Sequence, residues 1–239
     1  MLALSEAASR LGWALPNVWP APSSVLRALY DNPDVLAMHT LQTLLETGLG
    51  LALALVLGVA FALALRRSQA LSRTLMPWLI VSQTIPTIAL APLLLVWIGF
   101  GLWPKIIIVT LFCFFPITVS TLGGLREPQP LLEDLLRSYN ASGRQRDALL
   151  RFPAALPAFF SGLRLAASYA VTAAIVGEYV GGYAGLGIFI QTSANARALP
   201  LVFAAITLSA ALSVLLVALV GLAERAALRG RPPVTEENV

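Results

Sequence analysis

The sequence predicts an all-α bundle that crosses a membrane several times. Three observations carry that prediction. The 239 residues are 58% hydrophobic and only 12% charged, whereas a soluble domain carries about 25% charge. Five apolar stretches reach or approach the roughly 20 residues that a helix needs to cross the hydrocarbon core. Arginines gather after the first, third and fifth of these stretches.

Taken in order, the first stretch covers 47–65 and is stopped by Arg66 and Arg67. Glu46 stands at its start, where a carboxylate suits a helix amino terminus. The second lies within the uncharged interval 74–104. Its prolines at 77, 86 and 92 predict a bent or broken span rather than a straight rod. The third covers 106–125. The fourth runs from about Pro157 to Gly182, with Arg164 and Glu178 near its two ends. The fifth covers 201–223, stopped by Glu224 and Arg225. The interval 181–200 is too polar and glycine-rich to span. A short helix lying on the outer surface, or dipping into it, is expected there.

Arginine placement orients these stretches. Arg66, Arg67 and Arg73 follow the first; Arg126, Arg137, Arg144, Arg146 and Arg151 follow the third; Arg225, Arg229 and Arg231 follow the fifth. The other side holds only Arg10, Arg27, Lys105 and Arg197. The positive-inside rule makes the arginine-rich segments cytoplasmic. The carboxyl terminus is then inside and residues 1–40 outside. Residues 1–36 offer neither a cleavable signal peptide nor a span. Trp13, Trp19 and Tyr30, among Pro16, Pro20 and Pro22, read as interfacial. An external amino terminus without a signal points to a lost first helix, or to a short terminus translocated unaided; the first reading is favoured. The organisation expected is an outer amino-terminal segment 1–36, a membrane domain 37–228 containing a cytoplasmic loop 126–153, and a tail 229–239.

The inventory of reactive groups excludes several function classes. The only lysine, Lys105, is followed by Ile106, whereas a phosphate-binding loop needs lysine followed by serine or threonine. The chain therefore should not hydrolyse ATP by itself. The lone His39 cannot build a His-rich metal site or a credible Ser-His-Asp set. No cofactor, metal or nucleic-acid partner is expected, and no paired carboxylates in lipid. Cys113 is alone, so no internal disulfide forms. Arg164 and Glu178 are separated by about 21 Å of helix and cannot pair with each other. Arg164 can snorkel to the cytoplasmic interface. Glu178 reads either as interfacial or as facing a polar cavity.

The polar interval from Arg126 to Pro153 reads as two short helices. Leu131, Leu132, Leu135, Leu136 and Tyr139 recur at helical spacing. Asn140 suits a helix stop, because asparagine tolerates the left-handed conformation. Ser142 with Gln145 forms a capping-box start. Pro153 is expected to end the second helix, and Pro157 to open the next span. Arg144, Arg146, Asp147 and Arg151 are expected to be exposed. A loop so punctuated suits contact with another protein.

This interval resembles the "EAA" loop of binding-protein-dependent ABC importer permeases. In that family the loop reads Glu-Ala-Ala, three residues, Gly, nine residues, Ile or Val, one residue, Leu-Pro. Here Asp134 takes the Glu position, Asn140 the Gly, Leu150 the Ile or Val, and Pro153 the Pro. Leu135 and Leu136 replace the alanines and Phe152 the leucine. Other blocks are similar too: the Trp-Pro-Ala-Pro-Ser at 19–23, Ser82-Gln-Thr-Ile-Pro86, Ala91-Pro92, Trp97–Gly101, Phe114-Phe-Pro116, and Gly177-Glu-Tyr-Val-Gly-Gly followed by Gly185-Leu-Gly187. They are most similar to the nitrate, sulfonate and taurine branch, and within it to permeases for thiamine pyrimidine precursors.

The resemblance implies a type I importer permease fold with about five spans, the family's first helix being missing. It implies a cytoplasmic (inner) membrane location in bacteria. Two permease subunits, usually a homodimer, would form the pathway within the lipid bilayer. Two cytoplasmic ABC ATPase subunits would receive the helix around 140–150. A periplasmic or lipid-anchored solute-binding protein would deliver the solute. Asp134, Asn140, Ala141, Ser142, Arg144, Asp147, Leu150 and Pro153 are then the candidate coupling residues. Ser82, Gln83 and Thr84, beside the helix-breaking Pro86, are candidate pathway residues together with Glu178. Hydrogen bonding between helices is the other reading of the 82–84 group. A stand-alone secondary transporter or channel is the alternative function.

Overall fold

A computed structural model describes residue 6 and residues 20–126 and 130–229. The expectations for Trp13, Pro16, Trp19 and the tail beyond 229 lie outside the described residues. Among the described residues the regular structure is helical, without a strand.

Helix α1 (Pro22–Asp31) opens on a proline in its first turn, where a missing N–H costs nothing. It packs against the last long helix. Helix α2 (Pro33–Arg67) is 35 residues long, about 52 Å. It begins well before the expected start at residue 47. His39, Gln42, Thr43 and Glu46 lower the local hydropathy, yet they do not stop the helix: groups beyond α2 bond to His39, Thr43 and Glu46, and Gln42 bonds to Glu46 one turn on. Glu46 therefore lies inside α2, more than three turns from its amino terminus, where the helix dipole gives a carboxylate no advantage.

The second apolar stretch is broken. Helix α3 (Gln69–Ser82) and helix α4 (Thr87–Ile98) are separated across 83–86. Proline disfavours helical backbone at the residue before it, so the chain leaves α3 ahead of Pro86. Ser68 caps α3 by accepting from the Leu71 N–H at 3.2 Å. Helix α4 closes at Gly99, whose φ is 89°, and Gly101 follows at 138°. Neither half is long enough to cross a membrane alone. Four long apolar helices thus stand among the described residues, where five spans were expected.

Helix α5 (Leu102–Arg126) occupies the centre. It carries Ile108, Val109, Cys113 and Ile117 into a buried core with Ala54 of α2. The same core holds Ala166, Ala167, Ala170, Ala173 and Ala174 of helix α8 (Phe152–Gly181). Small residues let these backbones come close, which is how helices associate where lipid removes most of the hydrophobic drive. At Gly162 of α8, an added Cβ would lie 2.5 Å from the Ser120 Cβ of α5.

Beyond α8, helix α9 (Leu186–Asn195) buries Leu186, Gly187, Phe189 and Ser193 against its neighbours. Helix α10 (Leu199–Leu228) completes the bundle. The expected short helix in 181–200 is present, and it is packed into the bundle on one face.

Between α5 and α8 lie helix α6 (Pro130–Ser138) and helix α7 (Gly143–Arg146). A π-helical turn, Asp147–Arg151, joins α7 to α8 without a break. Pro153 therefore does not end a helix; it occupies the first turn of α8, and Pro157 lies within that helix. The wide turn explains this. It shifts the hydrogen-bond ladder just where proline would have lacked a donor.

Candidate functional site

Helix α6 ends as its sequence suggests. Asn140 has φ 55°. The Asn140 N–H donates to Arg137 O and the Ala141 N–H to Leu136 O, both at 2.9 Å. That pair of bonds is a Schellman closure, which uses up the last carbonyls of the helix. Ser142 then starts α7. Its Oγ accepts from the Gln145 N–H at 3.3 Å, and its own N–H donates to Gln145 Oε1 at 2.8 Å. Both halves of the capping box are formed.

The two helices present an uncovered surface. Leu131, Leu132 and Leu135 of α6 are exposed, as are Tyr139 just after it and Leu149 in the π-turn. Nothing in α6 is buried. Asp134, Asn140, Ser142 and Arg144 are exposed beside them, while Ala141, Leu150 and Pro153 are half-buried.

Behind this surface lies an ionic brace. Arg66, at the end of α2, bonds to Asp147. Arg151 bonds to Glu133 of α6 and reaches Asp147 at 3.5 Å. The Arg66 guanidinium also sits 5.6 Å from the centre of the Phe152 ring. Arg126 of α5 donates to the Leu65 carbonyl at 2.9 Å. The hydrogen bond from Arg151 holds the Glu133 carboxyl below its ordinary value, with slight burial working against it. Of the four charged residues expected to be exposed, only Arg144 is. Arg146, Asp147 and Arg151 are half-buried; Asp147 is held by Arg66 of α2, and Arg151 by Glu133 and Asp147. Glu133 went unnoticed in the sequence. Its signal is local: it precedes Arg137 by one helical turn, but nothing in sequence points to Arg151.

Arg164 bonds to Glu224 of α10 at the same end. At the opposite end of the bundle a polar cluster is sealed between helices. Glu46 Oε1 accepts from Lys105 Nζ at 2.8 Å and Gln42 Nε2 at 2.7 Å. Glu178 Oε1 accepts from Thr43 Oγ1 at 2.6 Å, and its Oε2 accepts from the Gly187 N–H at 2.5 Å. The Leu186 N–H donates to Thr43 Oγ1 at 2.8 Å, and the Gly185 N–H to His39 Nδ1 at 3.0 Å. Glu178 is fully buried, and its bonds run to α2 and α9. The carboxyls of Glu46 and Glu178 face each other. The expectation of no paired carboxylates is thereby corrected: the partners are far apart in sequence, and only the packing of α2 on α8 joins them.

Ser82, Gln83 and Thr84 sit exposed at the break between α3 and α4. The Ser82 hydroxyl donates to Leu79 O and the Thr84 hydroxyl to Val81 O, both at 2.7 Å. The hydroxyls thus occupy carbonyls of the last turn before Pro86. Among the described residues no group of three or more His, Cys, Asp or Glu side chains is placed to hold a metal ion.

Comparison with known proteins fits this arrangement. A family described as the binding-protein-dependent transport system inner membrane component matches residues 54–229. A probable ABC transporter permease protein of Haemophilus influenzae is 40% identical, over 90% of this chain and 88% of its own. The formylaminopyrimidine transport permease protein ThiX of Halalkalibacterium halodurans is 36% identical, over 84% of this chain and 80% of its own. The riboflavin transport system permease protein RibX of Chloroflexus aurantiacus is 35% identical, over 89% and 80%. Among solved structures, an inward-facing MetNI methionine ABC transporter has a chain superimposing with a TM-score of 0.68 at 21% identity. That match covers 82% of this chain and 97% of the other, and it shows the type I importer fold. With four long apolar helices, a capped polar loop and these relatives, the chain is a multi-pass membrane protein that belongs to the binding-protein-dependent ABC transporter permease family.

Proposed function

We propose that this chain is the pathway-forming permease subunit of an ABC importer and is driven by a separate cytoplasmic ATPase. The observation that carries this is the α6–α7 surface. Leu131, Leu135, Tyr139 and Arg144 are uncovered in front, while Asp147, Arg151 and Glu133 tie the same segment to the long helices behind. A surface that is open in front and anchored at the back suits transmission of a push. Asp134, Asn140, Ala141, Ser142, Leu150 and Pro153 shape it. Asp147 serves as an anchor rather than a contact.

A second, identical permease subunit, a periplasmic or lipid-anchored binding protein and a bacterial inner-membrane location complete the proposal. Ser82, Gln83 and Thr84 remain the pathway candidates, at a break where polar groups can face a passing solute. The solute is a small polar organic compound. A thiamine pyrimidine precursor is the first choice, supported by the likeness to a formylaminopyrimidine permease. A sulfonate- or nitrate-type anion is the second, supported by a 32% identical aliphatic sulfonates permease protein of Bacillus subtilis.

The test is co-purification with the ATPase encoded beside it. The native chain should form a stable complex, and Leu131→Asp with Arg144→Ala should lose it. A native chain that binds no ATPase yet transports solute in vesicles would favour a stand-alone transporter.

A further inference from the structure

The sealed cluster at the end away from the arginines has one donor too few. Glu46 Oε1 receives two hydrogen bonds, from Lys105 and Gln42. Its Oε2 is buried and has no partner. The Glu178 oxygens receive one bond each, from Thr43 and Gly187. Glu46 and Glu178 are both fully buried, and they face each other. Two ionised carboxylates in that position would repel across a poorly screened site. Lys105, the cation within reach among the described residues, bonds to Glu46. Among the described residues no cation pairs with Glu178. An ionised carboxylate without a counter-ion is costly to bury, and a buried oxygen without a donor is costly too.

One proton removes both costs. A protonated carboxyl has an O–H to give and still accepts hydrogen bonds. Lys105 and Gln42 both donate to Glu46, whereas no cation donates to Glu178 among the described residues. We propose that Glu178 binds a proton and donates it to Glu46 Oε2, so that Glu46, Glu178 and Lys105 form an electroneutral proton-holding triad.

The groups around the triad agree. His39, on α2, accepts from the Gly185 N–H at Nδ1 and is therefore the neutral form there. Helix α9 carries no titratable side chain. Tyr179 and Tyr183, the nearest phenols in sequence, are exposed. Because Gly187 hangs on Glu178, and Leu186 on Thr43, the triad also fixes where α9 begins. This inference stands apart from the transport proposal and needs no partner protein.

The full chain in lipid nanodiscs supplies the test. Infrared spectra at neutral pH should contain a protonated-carboxyl C=O stretch that shifts in heavy water and disappears in Glu178→Gln. Glutamine keeps one donor for Glu46 Oε2 and one acceptor for Gly187, so the melting midpoint of that variant should stay within about 3 °C of the native chain. Glu178→Leu keeps neither and should melt many degrees lower. Absence of the band from the native chain, its survival in Glu178→Gln, or a Glu178→Gln midpoint as low as that of Glu178→Leu would each overturn the proposal.

Discussion

Among the described residues two that are not glycine take a left-handed backbone, and they differ in how well the side chain suits it. Asn140 ends α6 with φ 55°, and Arg197 follows α9 with φ 57°. At the second stop the Arg197 N–H donates to Ala194 O and the Ala198 N–H to Ser193 O, repeating the closure at Asn140. Asparagine tolerates this conformation, whereas arginine has a Cβ penalty and no local compensation. Arg197→Gly should therefore raise stability by about 0.5–1 kcal/mol, read as a higher melting midpoint in detergent. Asn140→Val should act in the opposite sense by about 1–2 kcal/mol locally, seen as faster protease cleavage within the loop. Gly185 is stricter still. Its φ is 123°, and a Cβ there would fall 2.2 Å from the Glu178 carboxyl carbon. Gly185→Ala should give a chain that is lost on extraction, measured as monodisperse protein recovered by size exclusion. Asparagine at a stop is readable in a sequence, and so is Asn140. Arg197 carries no such signal, because its backbone is set by the packing of α9 and α10.

The elements of the loop were legible for a related reason. The capping box, the helical stripe from Leu131 to Tyr139 and the asparagine stop all act over three or four residues. The brace behind them acts over much longer separations and was missed. Arg66 and Asp147, or Glu133 and Arg151, meet only after the long helices pack. Glu133 supplies a pH test of that brace. Its carboxyl is held below the ordinary carboxylate value in the folded loop. The stabilisation is therefore complete above the ordinary value and is lost as pH falls through the lowered one. Limited proteolysis of the native loop should stay slow at neutral pH and accelerate in acid below the usual carboxylate range. Glu133→Gln should be cleaved faster at neutral pH and lose most of that dependence.

Across the whole molecule the four long helices were read from hydropathy, with ends shifted by satisfied polar groups. The broken second stretch was read from its prolines. The close crossings were not, because glycines and alanines in lipid-soluble helices look alike until a neighbour is known. Gly162→Leu, at the crossing of α8 on α5, should cost at least about 1–3 kcal/mol by overpacking, measured as a fall in the melting midpoint. The crossing also gives meaning to the π-helical turn at Asp147–Arg151. A helix advances about 100° per residue, and this turn holds one residue more than an α-turn would. The extra residue sets the phase of everything on its amino-terminal side. Tightening these five residues to ordinary α-helix with none removed would rotate the Leu131–Arg144 face by roughly a quarter of a revolution about the α8 axis. The loop would keep its residues, caps and charges, yet aim them at the wrong quarter of the compass.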